Sequence, residues 1–150
     1  MIDHTVHVAD LLRVLLDSEV VNVQAQTGSN MYGESWEDTA MLTLEFENGV
    51  FATLDSSWSR PKGFKTWGDV TMIIVGDQGV IELDMFGQGL DIYQEKHKTA
   101  GWGSDLDEPL VADFMNCIKN DTAPPITGID GLQAARVAIA GYASVANNLG

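Results

Sequence analysis

The sequence predicts an α+β fold: an open, predominantly antiparallel or mixed β-sheet with helices packed on one face. Three observations point there. The chain opens on an apolar-periodic helix, MIDHTVHVADLLRVLL. Its middle carries two hairpin signals, Asn48-Gly49 and Gly76-Asp77-Gln78-Gly79. Its end is helical and rich in alanine. Strands and helices do not alternate, so a doubly wound parallel sheet is excluded.

The first helix is expected from His4 to Leu16, with Asp3 as N-cap and Asp17-Ser18 ending the apolar pattern. Val20 to Thr27 alternates apolar and polar residues, the period of a strand. Residues 28–38, GSNMYGESWED, are polar and glycine-containing and predict a loop bearing two exposed aromatics, Tyr32 and Trp36. Asn48-Gly49 then separates TAMLTLEFE from VFATLDSSW. A two-residue loop there pairs Phe46 with Phe51. That register puts Leu42, Leu44, Phe46 and Phe51 on one face, and Met41, Ala52 and Leu54 on the other.

In the second hairpin, pairing Val75 with Val80 collects Val70, Met72, Ile74, Ile81, Leu83 and Met85 on one face. A strand from Leu90 to Glu95 is expected to extend the sheet. Leu110 to Lys119 has a helical apolar stripe, with Asp105 or Asp107 as cap and Pro109 in the first turn. Thr122 to Pro125 breaks it. Thr127 and Asp130 then form an approximate capping box for a last helix, Ile129 to Asn148. Its alanines permit close approach to the sheet. Apolar residues on both faces of the first hairpin call for a cover on the side away from the helices. A second subunit is the natural one.

The chain has 150 residues, which suits one domain spanning 1–150 and a substantial core. Acidic residues outnumber basic ones 22 to 8, giving a formal charge of -14. Such a charge argues against nucleic acid and anionic membranes, which both need cationic surface. No apolar run approaches the roughly 18 residues of a membrane-spanning helix. No signal-peptide pattern opens the chain, so the expected location is cytoplasmic. Cys117 is the single cysteine; an internal disulfide is impossible, and a small buried side chain is expected there.

The chemistry concentrates at the start. Asp3 and His7 stand four apart on a helix, which brings their Cβ atoms to about 6 Å. Histidine titrates near neutrality, and a nearby carboxylate fixes its tautomer and raises its pKa. That pair suits removal of a hydroxyl proton while hydride leaves the same carbon. The alternative is that Asp3 only caps the helix and His7 only packs. His4 and Asp10 add little by themselves. No HExxH motif or cysteine cluster supports a metal site. No GxGxxG lies between a strand and a helix, so no dinucleotide fingerprint is present.

The segment Ser57-Trp58-Ser59-Arg60-Pro61-Lys62-Gly63 is a local positive patch in an acidic chain. With Lys65 and Trp67 nearby, Trp58, Arg60 and Lys62 could clamp a hydroxylated or carboxylated substrate. An ordinary solvated loop is the alternative. Trp102 lies in a glycine-containing loop of the kind that can fold over a ligand. Ser57, Ser59 and Ser104 have no neighbouring base, so nucleophilic serine chemistry has no support.

These stretches together resemble a family. Asp3-x-x-x-His7-x-x-Asp10-Leu11-Leu12-Arg13-x-Leu15-Leu16 is similar to the signature opening the C-terminal half of the glucose-fructose oxidoreductase, inositol dehydrogenase and rhizopine-catabolism (Gfo/Idh/MocA) oxidoreductases. Glu37-Asp38-Thr39-Ala40, Phe46-Glu47-Asn48-Gly49, Ser57-Trp58, Gly76-Asp77-Gln78-Gly79 and Thr127-Gly128-x-Asp130-Gly131-Leu132 agree, in the right order along nearly the whole chain. The resemblance implies a sheet like the C-terminal domains of dihydrodipicolinate reductase and glyceraldehyde-3-phosphate dehydrogenase. It makes His7 the general base, Asp3 a substrate-binding carboxylate, and the stretch after Trp58 part of the substrate side. Arg13 is assigned to helix packing or an exposed edge rather than to catalysis. It implies NAD or NADP in a parent enzyme, held by a separate Rossmann domain that also carries a catalytic lysine. It implies dimers or tetramers formed through the open sheet face.

Neither that domain nor its lysine is in these residues. The chain alone is therefore expected to bind no nicotinamide cofactor and to be inactive as a dehydrogenase. Two readings follow. One is the substrate domain of an NAD(P)-dependent oxidoreductase acting on a small hydroxylated compound such as a sugar or polyol. The other is a non-catalytic module for sheet-mediated dimerisation or small-ligand binding.

Overall fold

The computed structural model describes residues 1–57, 59–64, 69–85, 87, 89–93, 97–101 and 107–148, with backbone alone for 89–93, 97–101 and 148. The chain divides into two compact units. The first holds Met1–Ser59 and Ala123–Gly150; the second holds Arg60–Thr122. The architecture is α+β, and every strand pairing among the described residues is antiparallel.

In the first unit, helix α1 (Ile2–Leu16) precedes strands β1 (Val20–Gly28), β2 (Thr39–Phe46) and β3 (Phe51–Asp55), which form a sheet in that order. Helix α3 (Gly128–Asn148) closes the unit. The sheet's inner face is the even-numbered side of β2: Ala40, Leu42, Leu44 and Phe46 are all buried. Ala25 from β1, Leu54 from β3, Ala9 from α1 and Val137 from α3 complete the core. Both helices therefore cover the same face. The small residues of α3 do what the sequence suggested. A Cβ placed on Gly141 would lie 3.2 Å from Leu42 Cδ2, so the helix backbone runs close against the strand.

Helix α1 starts earlier than expected. Met1 is its N-cap, and the Thr5 amide donates to the Met1 carbonyl at 3.2 Å. Asp3 is thus inside the first turn rather than at the cap, where its charge favours the helix dipole. At the other end Asp17 adopts a left-handed conformation (φ 45°), tolerated by Asp, and stops the helix. Thr127 and Asp130 do form the reciprocal box that opens α3. The Ile129 amide donates to Thr127 Oγ1 (3.2 Å) and the Thr127 amide to Asp130 Oδ2 (2.7 Å).

The first hairpin corrects the expected register. Glu45 opposes Phe51, and Leu44 opposes Ala52. The loop has three residues, not two. The Gly49 amide donates to Phe46 O and the Phe46 amide to Val50 O, each at 2.9 Å, with Gly49 at φ 84°. This is a tight turn ending in a left-handed glycine, the second common hairpin closure. The added residue moves β3 by one, and in a strand that exchanges faces. Ala52 and Leu54 join the inner face; Phe51 moves to the outer one. Strand β1 gains a bulge between Val20 and Asn22, which turns Val21 outward.

The second unit contains two hairpins and one helix. Strands β4 (Thr71–Gly76) and β5 (Gly79–Asp84) pair with Val75 opposite Val80, the register read from the sequence. Strands β6 (Gly89–Tyr93) and β7 (His97–Gly101) form a hairpin of their own. The strand expected from Leu90 therefore pairs with β7 instead of extending a common sheet. Residues 97–101 lack the β-branched alternation that would have revealed the partner. Helix α2 (Asp107–Asn120) carries its predicted stripe, but Leu110, Val111, Phe114, Met115 and Ile118 are all exposed. On that helix Cys117 is only half-buried, not buried.

The corrected register has a direct consequence. Phe46 is 2% exposed and Phe51 73%. Phe46→Ala is expected to cost about 3–5 kcal/mol in urea unfolding, and Phe51→Ala less than about 0.5 kcal/mol. Equal losses from the two substitutions would contradict the exposed position of Phe51 in this chain.

Candidate functional site

The site begins from α1. Thr5, Ala9 and Arg13 recur every four residues and are buried. Asp3 and His7 fall on another side of the helix, and both are exposed. Asp3 Oδ2 lies 3.8 Å from Nε2 of His4, in solvent, where such a pair holds little energy. Asp10 is turned to Arg13, whose Nη1 donates to Asp10 Oδ1 at 3.3 Å. The sequence series Asp3, His7, Asp10 is thus split. Two members face solvent and the third belongs to a structural ion cluster.

Arg13 is the centre of that cluster and is 9% exposed. Nε donates to Glu19 Oε2 at 2.7 Å and Nη2 to Glu19 Oε1 at 2.5 Å, a bidentate pair. Nη1 also donates to the Asp130 carbonyl at 3.3 Å, and Nη2 lies 3.7 Å from Asp130 Oδ1. The hydrogen bonds from Arg13 hold the Glu19 carboxyl below its ordinary range. The Thr127 hydroxyl and amide do the same for Asp130.

The loop after β1 is anchored at its base beside the first turn of α1. Asp38 is 1% exposed. Its Oδ2 accepts from the Met31 amide (2.8 Å) and the Tyr32 amide (2.9 Å). Glu37 accepts a short hydrogen bond from the Tyr142 hydroxyl of α3 and another from the Met1 amine at 2.9 Å. The Ile2 amide donates to the same Tyr142 oxygen at 3.4 Å. Chiefly because of the Tyr142 hydrogen bond, the Glu37 carboxyl is pushed down to about 2, although burial opposes this. Burial first, and Glu37 second, raise the Tyr142 phenol. Sequence reading missed these partners. Tyr142 is 105 residues from Glu37, and no local pattern joins them.

Arg60 and Lys62 lie in the second unit. Arg60 donates to Asp69 Oδ1 through Nη2 (2.7 Å) and Nε (3.1 Å), and its guanidinium sits 5.5 Å from the Phe64 ring centroid. Its charge is already matched within its own loop. Lys62 is exposed. Trp58 lies outside the described residues, as do Lys65, Trp67, Trp102, Ser104 and Asp105.

The described strands all pair antiparallel, so they form no strand–glycine loop–helix cradle of the kind that holds a dinucleotide. The glycine-containing start of α3 has its own carboxylate, Asp130, against Thr127, where a phosphate would meet repulsion. Among the described residues no three His, Cys, Asp or Glu side chains converge as a metal site, and no helix is long and apolar enough to cross a membrane.

The model of the GFO/IDH/MocA C-terminal domain matches residues 1–82. The chain belongs to this family. It is similar to the uncharacterized oxidoreductase YrbE of Bacillus subtilis (strain 168), with 29% identity over 96% of the chain and 45% of that protein. It is also similar to scyllo-inositol 2-dehydrogenase (NAD(+)) of the same organism, at 25% identity over 99% of the chain and 46% of that protein. The chain therefore spans about half the length of these relatives. Among solved structures, GenD2 from gentamicin A biosynthesis, in complex with NAD, shares the fold with a TM-score of 0.81. That match has 19% identity and covers 97% of this chain and 45% of GenD2. Aldose-aldose oxidoreductase from Caulobacter crescentus shares it at 0.72, with 21% identity over 96% of this chain and 44% of its own.

The Glu37 shift sets a pH dependence. A carboxyl whose pKa falls from 4.5 unfolded to about 2 folded adds stability in full above pH 4.5, and that stability is lost as pH falls toward 2. Tyr142→Phe removes the main cause. Acid unfolding followed by circular dichroism is expected to begin at higher pH in this variant than in the unsubstituted chain. Superimposable acid titrations would show that the pair contributes nothing.

Proposed function

We propose that residues 1–150 are the substrate-binding and oligomerisation domain of an NAD(P)-dependent oxidoreductase acting on a sugar, polyol or related hydroxylated compound. One observation carries the reading: in a chain of this family, Asp3 and His7 stand exposed in the first two turns of α1, unclaimed by the core. His7 is the general base, taking the hydroxyl proton as the carbon becomes a carbonyl. Asp3 holds the substrate hydroxyl beside it. Trp58, Arg60 and Lys62 serve the substrate side, with Arg60 oriented by Asp69. The hydride acceptor, NAD or NADP, belongs to another domain of the parent enzyme, so the isolated chain is inactive and works only in that assembly, in the cytoplasm. Inositol and aldose chemistry among the relatives supports the substrate class.

The test is His7→Ala in the parent enzyme. Loss of the general base is expected to lower kcat about 100- to 10,000-fold with little change in KM. A kcat within a few-fold of the parent would remove His7 from the mechanism.

A second reading, a sheet-mediated dimerisation or small-ligand module, is favoured by the outer sheet face. Met41 and Phe51 are exposed there, on the side away from both helices. The two readings are compatible if the oligomer forms through that face. Phe51→Glu is then expected to convert an oligomer to monomer in sedimentation velocity. An unchanged sedimentation coefficient would rule out this face.

A further inference from the structure

Helix α1 opens without a side-chain cap from its N-cap residue, Met1. The first amides of any helix lack an intrahelical acceptor, and a local Ser, Thr, Asp or Asn usually supplies one. Here the acceptor comes from far along the chain. The Tyr142 hydroxyl oxygen, on α3, accepts from the Ile2 amide at 3.4 Å. Gly141 lets α3 come that close, since a Cβ there would lie 3.2 Å from Met1 Cε. Tyr142 is held in turn by donating its own proton to Glu37. The residue after Glu37 is pinned on both sides. The Asp38 amide donates to the Gly28 carbonyl at 2.9 Å, and its buried carboxylate accepts from the Met31 and Tyr32 amides. The Glu37 carboxyl, pushed down to about 2, is ionised at neutral pH, which strengthens the bond it accepts. The first turn of α1 is thus capped from α3 and the β1–β2 loop, not from its own sequence.

Resting on the oxidoreductase reading above, we propose that Tyr142 and Glu37 are positioning residues for the reaction: they fix the first turn of α1 and, through it, the placement of Asp3 and His7. They act through the backbone and not on the substrate. Asp3 follows Ile2 directly, and His7 continues the same helix. Both side chains are exposed and outside the core, so the helix backbone sets where they point. A displacement of about 1 Å at a catalytic group can cost on the order of 100-fold in rate. Helix ends fray, and more so when their amides lack partners. Asp3 lies in the turn most exposed to that fraying. The buried Thr5 hydroxyl makes no hydrogen bond, so it adds no polar anchor there. The Tyr142 hydroxyl supplies one from outside the helix.

The test pairs amide hydrogen exchange in the 150-residue chain with kinetics in the parent enzyme. Tyr142→Phe keeps the ring and removes the hydroxyl. The Thr5 and Val6 amides are expected to exchange about fivefold faster in that variant, with Leu11 and Leu12 unchanged. Unchanged exchange at Thr5 and Val6, or equal acceleration along all of α1, would overturn the local cap. In the parent, Tyr142→Phe and Glu37→Ala are each expected to lower kcat about 10- to 100-fold with little change in KM. The double variant is expected to be no worse than either, because the two side chains act as one unit. Glu37→Gln keeps an oxygen for the Tyr142 proton and is expected to recover most of the Glu37→Ala loss. A kcat untouched by Tyr142→Phe, or Glu37→Gln no better than Glu37→Ala, would remove the positioning role. The two proposals fail in different ways. Turnover abolished by His7→Ala but indifferent to Tyr142→Phe sinks the positioning role alone. Faster Thr5 exchange in Tyr142→Phe, with no alcohol oxidation by the parent, sinks the oxidoreductase reading and leaves the cap no reaction to serve.

Discussion

The placement of Arg13 governs the geometry of the first unit. One guanidinium, nearly buried, answers Asp10 on its own helix, Glu19 in the turn before β1, and both the carbonyl and carboxylate of Asp130 at the start of α3. A buried arginine is tolerable only with such partners, because desolvation costs several kcal/mol unless hydrogen bonds replace water. The five-donor planar fork can satisfy three sites at once, which a lysine cannot do. With Arg13 held inward, Thr5 and Ala9 follow it inward at one-turn intervals. Asp3 and His7 are then turned elsewhere. The exposure of the candidate catalytic pair is thus a consequence of an ion cluster two turns away.

The β1–β2 loop shows a different use of charge. Asp38 and Glu37 are adjacent in sequence but hold different parts of the fold. Asp38 faces the core and organises the loop's own backbone; Glu37 reaches α3. The two anchors let a polar, glycine-containing segment carry aromatic side chains in solvent without collapsing onto the sheet. Both act structurally through specific donors.

Much of the local structure was legible in the residues. Thr127 and Asp130 supply a reciprocal cap whose chemistry operates within four residues, so its presence can be read directly. The β4–β5 register follows from one short turn between two alternating strands. The β2–β3 register was misread because Asn48-Gly49 supports more than one loop length, and local residues do not choose between them. Burying Phe46, Leu54 and Ala52 together favours the three-residue form. The strand partner β7 was missed because its sequence has no alternating apolar signal.

By itself, the sequence determined the α+β class, the helices and most of the strands in order, the family signature at Asp3 and His7, and a strongly acidic composition. All of these depend on period, composition or contacts within a turn or two. Only the tertiary structure decided that Asp10 belongs to Arg13, that Glu37 meets Tyr142, that Phe51 faces outward, and that Tyr32 and Trp36 stand on an anchored loop. These outcomes join residues far apart in the chain. They are settled by which groups compete for the same buried donors and the same side of the sheet.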